Sequence, residues 1–579
     1  MLLALLACAA PPERPLSELR ALLRTAVAQR QARVVIPPGV YRGAPEAGQR
    51  VHVYLRGARD LEILATGVTM VCTKQTRALG LDSCHNVTLS GLTIDYDPLP
   101  FTQGELTALD RAAGWIDVRI HVGYPVRADT RVDICDRQTR YRKRDKPFMW
   151  ESRAEVRPDG VVRVHNKSAA GFAQVGDLIS LGGWERDAVA HTLTLDDCAR
   201  VTLRDVTVYA SNCMGIVAAG GEGGHAFLGC RVLPGPPPPG ASEARLLSTN
   251  ADAILTKTLK VGARTEGCTL RDAGDDSWSV QSSDYIVLRR EGRALWLASR
   301  DDLAVQAGDR LQATLDGPVA TVLGREVVRR SAAGLAPEVE QKLRGAASWT
   351  YWWRLGGGSL LKVTLAADAP WQVGDSVYDL NRRGDGFVFR DNDVRSSGRV
   401  LIKAVGLVEN NRIESPFGVS VLPEVLYPGA AGLAEVTIRG NTITEAHTFN
   451  PFYHSSQAGA ISVTCDGARD SLRPAGAFGR VVIESNTITG GNGAGIVVSS
   501  AREVVLRGNR LVDLQHVKPH DTGGRYHIDN HAAIWLAHCD RVTLAGNELV
   551  NPGAHLSAPL VLGPGVKDVA GRADGLVRR

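Results

Sequence analysis

The sequence predicts an all-β chain, a right-handed parallel β-helix (solenoid) carrying two inserted small antiparallel β-barrel domains. Three observations predict it. A phrase of two β-branched strands about a small turn recurs as NVTLSGLTIDY, RVTLRDVTVYA, EVTIRGNTITEA, RVVIESNTITG, EVVLRGNRLVD and RVTLAGNELVN, with Asn441, Asn486, Asn509 and Asn547 in the turn. Asn486 and Asn509 stand 23 residues apart, as do Asp252 and Asp275, which is close to one coil of such a helix. Composition agrees, since 61 Gly and 28 Pro with only 6% aromatics in 579 residues favour short strands and turns over long helices.

The opening MLLALLACAAPP (residues 1–12) is apolar without a basic flank and reads as the remnant of a signal peptide. Leu5-Leu6-Ala7-Cys8 also resembles, imperfectly, a bacterial lipoprotein cleavage site. Either reading places the protein outside the cytoplasm, secreted or periplasmic, and lipid-anchored if Cys8 is the acceptor. Residues 13–97 form the N-terminal cap and first rungs. PLSELRALLRTAVAQRQA has its leucines and valine at helix spacing and covers the open edge of the first coil, while VVIPPGVYRG and LEILATGVTMVC are strands.

Two stretches lack the repeated phrase and alternate like antiparallel strands. Residues 98–186 hold GELTALD, WIDVRIHV, VVRVHN and DLISLGGW, and residues 284–380 hold YIVLRR, ALWLAS, DRLQATLDG, SLLKVTLAAD and DSVYDL. A GD turn precedes a strand in both, in VGDLISL and VGDSVYDL. Two inserted barrels fit this, as does a single antiparallel flap made from both. Residues 187–283 and 381–579 are then the remaining coils, and PGPPPPG at 234–240 is a stiff surface connection.

The charge of +5, from 67 basic and 62 acidic residues, is scattered and argues against nucleic acid. No apolar run reaches the length of a membrane span. Cys84, Cys198 and Cys539 share one frame, Cys-x-x-Val-Thr-Leu, and read as small buried residues stacking on their equivalents. The asparagines read as a structural ladder, because Asn tolerates left-handed turns and its amide can bond to the next coil.

STNADAILTKTLKVGARTEGCTLRDAGDDSWSV, residues 248–280, carries the chemistry. One coil's separation brings Asp252, Asp275 and Asp276 side by side on adjoining rungs, about 4.8 Å apart. Such a set suits glycoside hydrolysis with inversion, in which a protonated carboxyl donates to the leaving oxygen while carboxylates activate a water, across a gap of about 6.5–9.5 Å. Crowding keeps one of them protonated near neutral pH. An acidic pair in a turn, or one binding calcium, is the plain alternative for Asp275 and Asp276 taken alone.

Asn250-Ala-Asp252 followed by Gly274-Asp275-Asp276 resembles the three-aspartate pattern of the polygalacturonase-like β-helix hydrolases, within the pectin-lyase-like superfamily. The chain is most similar to glycoside hydrolase family 110, exo-acting α-1,3-galactosidases, over about residues 85–415, with TIDYDPLPFTQGEL and VRSSGRVLIKAVGLVENNRI as further matches. The resemblance implies that Asp252, Asp275 and Asp276 are catalytic, with Asp275 as the acid and Asp252 and Asp276 on the water. Asn250, Trp278, Arg399 and Lys403 are candidate substrate-binding positions: Arg399 and Lys403 resemble the cationic residues that hold substrate in β-helix hydrolases, and Trp278 reads as a sugar platform or else core. Where the family has a stretch ending in Asn-Val-His-Gly, this chain has Ser277-Trp278-Ser279-Val280-Gln281-Ser282.

The expected activity is therefore exo-acting removal of terminal α-linked galactose from a glycan or oligosaccharide, with no cofactor and no metal. The barrels would close one end of the groove, and the oligomeric reading leaves room for a homodimer. Two alternatives stay open: a polysaccharide lyase or uronate epimerase with Arg399 or Lys403 as base, and a non-catalytic carbohydrate-binding β-helix. His516, His520, Asp521, His527, Asp529, Asn530 and His531 contain two His-x3-His pairs, but Pro519 and Gly523-Gly524 break any helix that would align them, so a polar groove loop is expected there.

Overall fold

The structure, a computed structural model, describes residues 12–143, 152–183, 190–299, 303–313, 317–345, 359–396, 398–423, 432–446, 457–467, 471–519 and 526–571. Cys8, His520 and Asp521 lie outside them. The described residues divide into two compact units, one of 12–141, 152–216 and 226–251, the other of 142–143, 217–225 and 252–571.

The first unit begins with the helix Leu16–Ala28, whose Leu16, Leu19, Leu23 and Ala26 are buried. They pack toward the strands of the first coil. Strand Arg59–Cys72 pairs in parallel with Arg33–Val35, Gly39–Gly43 and His85–Tyr96. A second parallel ladder runs from Val51–Arg56 to Arg77–Asp82 to Leu193–Asp196. Leu79 is opposite Leu193 and His85–Tyr96 is still paired in parallel with Thr202–Arg204 and Thr207–Val208, so the stretch from Tyr96 to Leu193 is an excursion from a single coil.

That excursion is a six-stranded antiparallel sheet, ordered Arg131–Cys135, Leu178–Gly182, Thr102–Asp110, Trp115–Ile120, Val162–His165, Arg153–Val156. Among the described residues its two end strands do not pair with each other, so it is an open sheet and not the expected barrel. Its apolar face is closed by the helix Lys167–Phe172 instead, through Ala169 and Ala170. In the same unit the Cys84 backbone N–H donates to Cys198 Sγ at 3.3 Å, which is a two-rung stack of the predicted kind. All nine described cysteines are buried thiols.

The second unit is built on three parallel ladders. One runs through Ile254–Lys257, Trp278–Gln281, Val400–Ile402, Val419–Val421, Gly459–Val463, Ala494–Ser499, Ala532–Ala537 and Ala558–Leu562. The others follow Arg264–Glu266 through Phe387–Arg390 onward and Thr269–Arg271 through Asp393–Arg395 onward. Inward residues stack by kind, with Ile438, Ile483, Leu506 and Leu544 in one row, each at most 3% exposed. Burying each contributes about 1.5–3 kcal/mol.

A closed six-stranded antiparallel barrel, ordered Asp284–Glu291, Ala294–Ser299, Ser359–Leu365, Val319–Arg329, Arg310–Ala313, Ser376–Asp379, stands between the Trp278–Gln281 and Val400–Ile402 rungs. Its GD turn works by chemistry shared with the first insertion. Asp375 Oδ2 accepts from Gln372 N at 2.7 Å and Asp177 Oδ2 from Gln174 N at 2.8 Å, each beside a glycine at positive φ, Gly374 at 100° and Gly176 at 93°.

The asparagine ladder is longer than the repeated phrase. Asn392, Asn411, Asn441, Asn486, Asn509 and Asn547 stack through successive rungs, and each of the first five donates both its backbone N–H and its Nδ2 to the Oδ1 of the next. Nδ2 also donates to a strand carbonyl, as Asn486 does to Ile438 O at 2.9 Å. All six are at most 4% exposed, so no water can replace a lost partner.

Asn486→Ala takes the acceptor from the buried Asn441 backbone N–H, one of three acceptors from Asn441 Nδ2 and a donor from the Ile438 carbonyl. It is expected to lower unfolding free energy by about 2–3 kcal/mol, read from the shift in urea midpoint. A second test concerns the barrel, where two buried carboxylates share one guanidinium: Arg382 Nε lies 3.1 Å from Asp309 Oδ2 and 3.7 Å from Asp379 Oδ2. Burial, then Asp309 beside it, pushes the Asp379 carboxyl up to about 8. The folded chain thus keeps a proton that the unfolded chain has lost, and the stability this group contributes is full in acid and lost as pH rises through about 8. Asp379→Asn should flatten the fall in thermal midpoint between about pH 4 and about pH 8; an unchanged slope would contradict this origin.

Candidate active site

The register of the first ladder sets the site. Ile254 pairs with Trp278, so two residues upstream Asp252 stands opposite Asp276, and the Ala253 N–H donates to Asp276 O at 3.0 Å. The coil is thus 24 residues here, one more than the 23 that separate Asp252 from Asp275. Asp252, Asp275 and Asp276 each place a carboxylate oxygen within 4.8 Å of the others. The structure therefore brings together the acids expected to act together.

Their surroundings differ. Asp252 and Asp276 are buried, at 6% and 7% exposure, while Asp275 is partly exposed. Ser279 Oγ donates to Asp252 Oδ2 at 3.0 Å. Arg399, just before the Val400–Ile402 strand on the following rung, donates from Nε to Asp276 Oδ1 at 2.8 Å. Burial, then the charges of Asp276 and Asp275, raise the Asp252 carboxyl well above the usual carboxylate range, against the smaller pull of Ser279 and Arg399. Asp252 therefore holds a proton where an ordinary aspartate has lost it.

The spacing also departs from expectation. The oxygens approach more closely than the gap of about 6.5–9.5 Å described for inverting carboxylate pairs, because residues directly opposite on neighbouring rungs are only about 4.8 Å apart. Two acceptors at that separation can hold one water between them, since each hydrogen bond spans about 2.8 Å.

Backbone packing beneath the cluster admits no side chain at Gly398. A Cβ there would lie 1.8 Å from Asp275 O and 2.7 Å from the Asp276 Cα. Gly398 O accepts from Ser415 Oγ at 2.5 Å and Ser277 Oγ at 3.4 Å. Ser279 and Gly398 are the residues that the sequence reading missed. Ser279 has no signal beyond its polarity in a buried strand, and Gly398 none beyond being a glycine.

Three expected binding residues are elsewhere. Trp278 is fully buried; its Nε1 donates to Thr265 Oγ1 at 3.0 Å and its ring packs on Phe387 and Phe389 at 5.3 and 4.8 Å, so it is core and not a sugar platform. Lys403 is also fully buried. Asn250 is buried in the first unit, its Nδ2 donating to Pro100 O, Gly183 O and Asn212 O at 2.9, 2.9 and 3.2 Å, which ties loops together. Of the four, Arg399 reaches the acids.

Among the described residues the three aspartates are the one group with the ligand spacing of a metal site. Asp276 already engages Arg399, which offsets the negative charge that a divalent cation needs. The histidine loop forms no such group among the described residues. His516 Nε2 bonds Asn551 O at 2.9 Å and His531 Nδ1 bonds His555 O at 3.1 Å. Ile528 from the same loop packs with Val497 and Trp535, so the expected polar groove loop is partly an apolar cover.

Neither a protein-family model nor any curated protein matches the chain. Solved structures do. The chain is similar to the A-module of a mannuronan C-5 epimerase from Azotobacter vinelandii at 9% identity, covering 96% of this chain and 95% of that one with a TM-score of 0.36. It is similar to a family 28 exopolygalacturonase from Yersinia enterocolitica at 10% identity, covering 97% and 78% with a TM-score of 0.38. An exopolygalacturonase from Thermotoga maritima is similar at 10% identity, covering 97% and 94% with a TM-score of 0.24.

Proposed function

We propose that the protein is an exo-acting glycoside hydrolase that removes terminal α-linked galactose with inversion. The observation that carries this is the asymmetry within one cluster: Asp252 buried and held protonated, Asp276 paired with Arg399, and their oxygens close enough to Asp275 to share a water. Asp252 donates its proton to the glycosidic oxygen as the bond to the anomeric carbon breaks. Asp276 and Asp275 orient a water and take its proton as it attacks that carbon.

Exo action is supported by the rungs beyond the site on the same ladder. The outward row runs Ser279, Leu401, Ser420, Ser462, Val497, Trp535, and none is more than 3% exposed. Ala458, Leu472 and Ile528 cover its far end. An extended polymer has no groove to follow on that side, so a chain end fits better than a mid-chain unit. The lyase or epimerase reading is disfavoured for Arg399 as base, since Arg399 is engaged with Asp276.

Proton NMR during hydrolysis of an α-galactoside tests the reading. β-Galactose should appear first and mutarotate afterwards; α-galactose first would overturn inversion, and no release from any α- or β-glycoside would overturn hydrolysis. Asp252→Asn and Asp276→Asn should each lower kcat by about 10²–10⁴-fold, with turnover unchanged in EDTA.

Arg399→Gln offers a separate check. Removing a cation beside a carboxylate that must be ionised moves the acidic limb of the kcat/KM profile to higher pH. The alkaline limb, set by the proton on Asp252, should shift less. Equal scaling at every pH would show that Arg399 only holds the fold.

A further inference from the structure

A second patch of the molecule has the makings of a ligand site and shares no residue with the three-carboxylate cluster. In the first unit, Tyr54 projects from the outer face of the Val51–Arg56 ladder and is 43% exposed, although a large aromatic is ordinarily covered. Gly80 stands opposite it on the next rung and Thr194 on the rung after. A Cβ at Gly80 would lie 3.2 Å from Tyr54 Cδ2 and 3.3 Å from Arg77 Cδ. The missing side chain is therefore what lets the phenol ring lie down over the sheet.

The ring is also pinned at its tip, where the Tyr54 hydroxyl donates to Asp82 Oδ2. Around it are polar groups that keep some exposure. Asp82 Oδ1 accepts from Ser83 Oγ at 2.6 Å, and Arg56 Nε is 3.8 Å from Asp82 Oδ2. One rung on, Asp196 Oδ2 accepts from both Arg77 Nη1 and Thr194 Oγ1 at 2.9 Å. Asp82, Arg77 and Asp196 side chains are 25%, 28% and 38% exposed, so a ligand lying on the ring can reach them.

We propose that this is a binding platform for a neutral carbohydrate. A pyranose has an apolar C–H face and a rim of hydroxyls that both donate and accept. Tyr54 offers a fixed aromatic surface to the face, and ordering it costs little because its hydroxyl is already held. Asp82 and Asp196 accept from the rim; Arg56, Arg77 and Thr194 donate to it. Two carboxylates against two guanidinium groups leave no excess positive charge to select a polyuronate. The platform needs no turnover at the other site, so it stands or falls independently of the hydrolase reading.

Affinity electrophoresis in native gels cast with galactomannan, arabinogalactan, dextran or polygalacturonate tests it. The wild-type protein should be retarded in at least one neutral gel and not in polygalacturonate. Tyr54→Ala should weaken that binding by about tenfold, while Tyr54→Phe keeps most of it. Circular dichroism and thermal midpoint establish that both variants fold. Asp196→Ala, which leaves the ring in place, should lower affinity if Tyr54→Ala proves unstable. No retardation of the wild type in any neutral gel, equal retardation of the wild type and a folded Tyr54→Ala (or, should that variant not fold, Asp196→Ala), or stronger retardation by polygalacturonate would each overturn the proposal.

Discussion

Parallel register is the constraint on which the rest depends. Once a strand of one coil is hydrogen-bonded in parallel to the equivalent strand of the next, every side chain acquires a neighbour of the same facing about 4.8 Å away. Apolar residues then stack into rows such as Ile438, Ile483, Leu506 and Leu544. The asparagine column enforces the register from inside the turn, because each Oδ1 takes two donors from one neighbouring rung and would lose both if a strand slipped by one residue.

The same geometry that aligns apolar rows also forces like charges together, and the chain uses this locally. Three acids at the ends of two rungs meet a guanidinium delivered by the third. Burial and the charges of its two neighbours keep a proton on Asp252. A comparable imbalance occurs in the barrel, where Asp309 and Asp379 share Arg382. There it lies in a packed interior and bears on stability. Beside partly exposed Asp275 it bears on chemistry.

Much of the scaffold is legible in the sequence, because a coil repeat leaves both a period and a composition. The Asn486 to Asn509 step is one such coil, and strands Phe478–Glu484 and Ala501–Arg507 pair at that spacing. Asn392 and Asn411 escape such a reading because RDNDV and VENNRI carry the turn without its flanking β-branched phrase. The acidic cluster is legible as a spacing, but its roles are not, since proton placement depends on burial that no pattern of residues reports. Trp278 and Lys403 are misplaced for one reason: a short strand of alternating facing does not announce its phase, and a covering layer can bury the outward face as well. The first insertion is an open sheet where a barrel is expected because strand patterns say nothing about whether the last strand returns to the first.

The barrel between the second and third rungs separates Trp278 from its partner Val400 by more than a hundred residues. During synthesis the aspartates emerge long before the arginine that balances them. A nascent chain halted within the barrel carries an uncompensated anionic corner, and its closing contact forms only after the intervening module has folded and brought its two ends together. The contact between Arg399 and Asp276 is thereby tied to completion of a module encoded between its two partners.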